Sequence, residues 1–180
     1  MKLKKLVALA LFGFASLAQA DNISFTGNFT YDNDVQRFNF TLAEASTVTL
    51  RSWSYAGGVN AAGQTIARGG FDPILALFSA DGPRIDEQDA ADCPLVPAAR
   101  VANACYDVSF TRGLAAGNYI VTIQQYDNFS RGDLAEGFDF EGVAYRNFRD
   151  GFADAADDKR DGHWAFDILN VNSAEIPDEV

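Results

Sequence analysis

The 180 residues include 15 Phe and two Trp, enough apolar material for one domain to bury a core, so folding does not depend on a disulfide framework. Fourteen Lys and Arg stand against 25 Asp and Glu, and the net charge of −11 excludes nucleic acid and anionic lipid as partners.

The N-terminus reads as a secretion signal. Lys2, Lys4 and Lys5 precede an apolar run from Leu6 to Leu17, which is too short to span a bilayer, and Ala18-Gln19-Ala20 supplies the cleavage site. Residues 1–20 are thus expected to be removed, leaving 21–180 as one exported domain, periplasmic or extracellular, with no stable membrane span. Cleavage removes three bases and no acid, so the mature chain carries 11 basic and 25 acidic residues, a net charge of −14.

Strand signals then follow one another. Residues 23–30 alternate loosely. In 35–42, Phe38, Phe40 and Leu42 face one way and Arg37, Asn39 and Thr41 the other, the period of a half-buried strand. In 46–54, Val48 and Leu50 alternate with Thr47, Thr49 and Arg51. The stretch 56–71 is small and Gly-rich and reads as a long loop. Residues 73–78 (PILALF) are apolar on both faces and read as a central strand, with Pro73 at its first position, where a missing N–H is tolerated. Asp81-Gly82 is a tight turn. Further strands are predicted at 106–111, 117–126 and 163–171. Residues 130–162 lack a sustained period and read as an irregular insertion packed on by Phe129, Phe138, Phe140, Phe148 and Phe152, with a short helix near 152–158. The predicted fold is all-β, an antiparallel, jelly-roll-like sandwich with long loops.

Cys93 and Cys105 are the two cysteines, and in an oxidising compartment a pair this close predicts a disulfide. It would close a loop of about 13 residues and stabilise by about 3 kcal/mol in the chain-entropy model.

The runs DNDVQRFNFTLAEASTVTL, GFDPILALFSADG and LAAGNYIVTIQQYDN resemble the bacterial pre-peptidase C-terminal domain over roughly residues 25–128. A Trp-Ser-Tyr segment at 53–55, the Gly-rich loop and the closing WAFDILNV strand are similar to small stand-alone exported proteins of that type, many of which end in a PEP-type sorting segment. AEIPDEV has neither the apolar helix nor the basic cluster of such a segment, so a released protein is expected. The resemblance implies a β-sandwich that accompanies secretion or contacts substrate, and in some members binds calcium.

The residues point to calcium independently. Asp32 and Asp34 lie in one turn before a strand, Asp72 immediately before the 73–78 strand, and Asp127 with Asn128 immediately after the 118–126 strand. If those two strands are antiparallel neighbours, Asp72 and Asp127 share one end of the sandwich, where a hard cation could collect oxygens. The competing reading is that these residues cap turns. Trp53, Tyr55 and Tyr126 could form an aromatic platform for sugar rings, or simply pack in the core. Asn22, Asn28, Asn39 and Asn128 begin N-x-[ST] triplets, read here as strand and turn polarity rather than glycan sites. His163 is the sole histidine and has no nucleophile motif around it, so no catalytic residue is assigned. The expectation is a non-enzymatic exported protein with a binding or surface role, its partner an extracellular polysaccharide or another exported protein. A carbohydrate-binding module and a small carboxylate-dependent hydrolase are the alternatives.

Overall fold

Period-two alternation builds two sheets that share one core. The computed structural model describes residues 20–93, 95–97, 105–143, 145–154, 157 and 159–178, so the expected signal lies outside it except for Ala20. The described strands are β1 (Asp21–Asn28), β2 (Val35–Leu42), β3 (Ser46–Ser52), β4 (Gly58–Val59), β5 (Thr65–Ile66), β6 (Pro73–Ser79), β7 (Arg84–Gln88), β8 (Ser109–Leu114), β9 (Gly117–Gln125), β10 (His163–Val171) and β11 (Ser173–Glu175). One sheet has the order β1-β10-β3-β8, the other β11-β2-β9-β6-β7, and β4-β5 is a separate hairpin. All pairings between these strands are antiparallel. The all-β sandwich expected from the alternation is the fold.

Between the sheets lie Phe38, Phe40 and Leu42 of β2, Val48 and Leu50 of β3, Leu75 and Leu77 of β6, Val121 and Ile123 of β9, and Trp164, Phe166 and Ile168 of β10. Phe38 meets Phe166 edge-on at 4.6 Å and Trp164 at 5.6 Å between ring centres, the geometry aromatic quadrupoles favour. Gly27 faces Trp164 across the β1–β10 ladder, and the indole occupies the place into which a Cβ would project, so no side chain fits there.

Strand β6 is buried on both faces, as its unbroken apolar run predicts. Leu75 and Leu77 enter the core, while Ile74, Ala76 and Phe78 are buried on the outer side. The segment after β9 folds back over that side. Ser130 N–H donates to Glu87 Oε1 at 2.8 Å, Leu134 N–H to the Gly82 carbonyl at 2.9 Å and Arg84 Nη1 to Ser130 Oγ at 2.9 Å. Phe138 is buried with it.

Several expected boundaries move. The strand placed at 106–111 is β8, at Ser109–Leu114, and β7 and β11 were not anticipated. Strand β7 (RIDEQ) is a charged edge strand, whose polarity protects an unpaired side and hides its periodicity. The Gly-rich loop contains the β4–β5 hairpin, whose strands are too short to show any alternation. In the stretch expected to hold a short helix, Ala153 instead pairs with Lys159; residues 155, 156 and 158 lie outside the described set. Single 3-10 turns occur at Leu134–Glu136 and Phe148–Asp150. Cys93 and Cys105 form the expected disulfide, with Cα atoms 5.8 Å apart.

Candidate functional site

The ladders decide which loops meet. Val35 of β2 and Ile74 of β6 both pair with Gln124 of β9, so the turns before β2 and β6 and the turn after β9 share one end of the five-stranded sheet. Asp34, Asp72 and Asp127 are therefore brought to one end, as the antiparallel argument required.

Their side chains, however, face different tasks. Asp34 Oδ2 accepts from Thr30 and Tyr31 N–H at 2.8 and 2.9 Å. Asp32 Oδ1 accepts from Arg146 N–H at 2.7 Å, and Asn128 Oδ1 from Phe140 N–H at 2.7 Å. These three hold turns by satisfying backbone donors. Asp127 is exposed, and Asp72 is partly buried, with Oδ1 sealed from solvent and without a hydrogen-bond partner among the described residues. Among the described residues no three His, Cys, Asp or Glu side chains gather as a metal ion would hold them.

Asp72 is unusual in another way. Burial pushes its carboxyl up to about 8, and the nearby Asp154, Asp89 and Asp107 add to the rise while Arg160 opposes it. Asp154 pairs with Arg160 at 3.3 Å, and the Arg160 guanidinium lies 3.2 Å from the centre of the Tyr55 ring. Burial also raises Asp107, against the pull of hydrogen bonds from Ala56 N–H (2.8 Å), Ser52 Oγ (2.8 Å) and Tyr55 N–H (3.1 Å).

Trp53, Tyr55 and Tyr126 do not assemble into an open platform. Trp53 and Tyr55 are buried, the first donating Nε1–H to Asp167 Oδ2 at 2.8 Å and the second packed against Tyr106 and Arg160. Tyr126 is partly exposed, with its ring against Phe129. The buried acids Asp107 and Asp167 were not anticipated. Asp167 accepts from Ser24 Oγ, Trp53 Nε1–H and Ala61 N–H, so it anchors the Gly-rich loop to the four-stranded sheet. A charged residue inside the apolar run WAFDILNV was the available signal.

The open site lies on the outer face of the five-stranded sheet. There a cleft of about 640 Å³ runs between β2, the Asp81-Gly82 turn and the segment after β9. Val35 and Arg37 of β2 form one wall, and Leu134, Phe138 and Glu141 another. Arg37 is exposed, and its guanidinium makes no ion pair among the described residues. Its described lining residues include the carboxyl side chains of Asp81 and Glu141 but no Ser, Thr, Cys or His. No protein-family model matches the chain, and a search of curated proteins finds no match.

Proposed function

We propose that this chain is an exported, non-catalytic β-sandwich that works by binding, with the outer-face cleft as its ligand surface. The cleft carries the proposal, because it joins an exposed guanidinium, carboxyl side chains and apolar walls in one concave surface. Export is supported by the order of charged, apolar and A-x-A elements, by β1 beginning at Asp21, where the mature chain is expected to start, and by a disulfide suited to an oxidising compartment. Among the described residues no helix is long and apolar enough to cross a membrane. The resemblance to pre-peptidase C-terminal domains fits the same role.

Intact mass of the secreted form should correspond to a chain starting at Asp21. Ligands should be captured by wild type and released by Ala80→Trp, which places a large side chain in the cleft. Undiminished binding by that variant, with an unchanged melting curve, would move the site elsewhere.

A hydrolase reading has one observation in its favour. Burial raises the Asp72 carboxyl to about 8, with nearby Asp154 adding to the rise, the environment of a carboxylic acid that can donate a proton. Loss of glycosidase activity in Asp72→Asn would support it, and absence of activity in wild type would end it.

A further inference from the structure

We infer that the cleft is one end of a longer groove that binds an extended, uncharged polysaccharide chain lengthwise along β2 and β9. This deepens the binding reading above and rests on it. A second hollow of about 430 Å³ opens on the same face, and Ala80 lines both. The outer row of β2 runs through the pair, with Val35 and Arg37 in the first hollow and Asn39 and Thr41 in the second. From Val35 to Thr41 the strand rises roughly 20 Å, a length suited to several sugar rings rather than one small molecule.

The lining chemistry selects the class. Asn33, Asn39 and Asn118 each offer a donor and an acceptor, and sugar hydroxyls need both. Thr41 Oγ1 donates to Asn118 Oδ1 at 2.9 Å, which leaves the Asn118 amide N–H groups for a ligand. Among the described lining residues Asp81, Glu141 and Glu175 stand against one base, Arg37, so a polyanion is repelled. A peptide strand is disfavoured for a different reason. It would add at a sheet edge, whereas both hollows open on the face of the β2–β9 pair, whose backbone groups are paired to each other from Val35 to Leu42.

The test uses the mature protein in affinity electrophoresis and calorimetry. The probes are soluble neutral β-glucan, galactomannan and xylan, a carboxymethylated glucan, and an oligosaccharide ladder of whichever neutral polymer binds. At least one neutral polymer should retard wild type, with affinity rising along the ladder until both hollows are spanned. Arg37→Ala and the pair Asn39→Ala/Asn118→Ala should each weaken binding about tenfold, with melting unchanged for exposed Arg37 and lowered by no more than a few degrees for the pair, which loses the Thr41–Asn118 hydrogen bond. Equal binding of the carboxymethylated glucan would overturn the choice of an uncharged chain. If only Arg37→Ala weakens binding, the groove ends at the first cleft and the extended site is wrong. If no neutral polymer binds, the inference fails; capture of an exported protein that Ala80→Trp abolishes would then show that the cleft reading survives without it.

Discussion

Replacing Asp72 by Asn should stabilise this protein at neutral pH and leave it unchanged in acid. Folded, the Asp72 carboxyl keeps its proton up to about pH 8, because burial and the neighbouring acids oppose its charge; unfolded, it ionises near 3.8. Between those values the native state holds the extra proton, so stability falls as pH rises, with no effect well below 3.8 and no further loss above 8. Each pH unit in that window costs at most about 1.4 kcal/mol, which sets a ceiling of roughly 4 kcal/mol at pH 7. Water reaching the partly buried side chain screens this, and about half the ceiling is the working expectation. Asn has the same shape and no charge to expel. The variant should therefore melt roughly 5 °C above wild type at pH 7, and with it at pH 4. Melting curves at half-unit intervals from pH 4 to pH 8 give the answer. A constant separation across that range would refute the account, since a steric or hydrogen-bond effect of the amide would not follow the proton.

Asp167→Ala should cost about 1–3 kcal/mol in urea unfolding, because it strands the buried Trp53 indole N–H without an acceptor. A shift in tryptophan emission should accompany it. Cys93→Ser/Cys105→Ser should lower stability by about 3 kcal/mol while leaving the far-ultraviolet spectrum that of a β-sandwich. Melting in calcium and in chelator should coincide, since Asp32, Asp34 and Asn128 already serve backbone donors. A calcium-dependent rise that both Asp72→Ala and Asp127→Ala remove would instead place a metal at this end.

The sequence alone determined the sandwich and its inner faces. Phe38, Phe40 and Leu42 alternate with polar neighbours, and a strand can bury such a set only by turning one side to a core. It also identified β6 as a central strand, brought Asp72 and Asp127 to a common end, and paired Cys93 with Cys105. Strands β4, β7 and β11 escaped because two to five residues, charged or Gly-rich, carry no measurable period. Only the tertiary structure decided what the side chains of the loops do. Asp34 and Asp127 are the same residue type near the same end, yet one satisfies two backbone N–H groups and the other faces solvent. The groove is likewise invisible in one dimension, because Arg37, Ala80 and Glu141 converge through the β2–β9–β6 ladders and the fold-back of the segment after β9. Periodicity is a local property that backbone geometry reads directly, whereas burial, hydrogen-bond partners and convergence depend on which distant residues arrive at the same place.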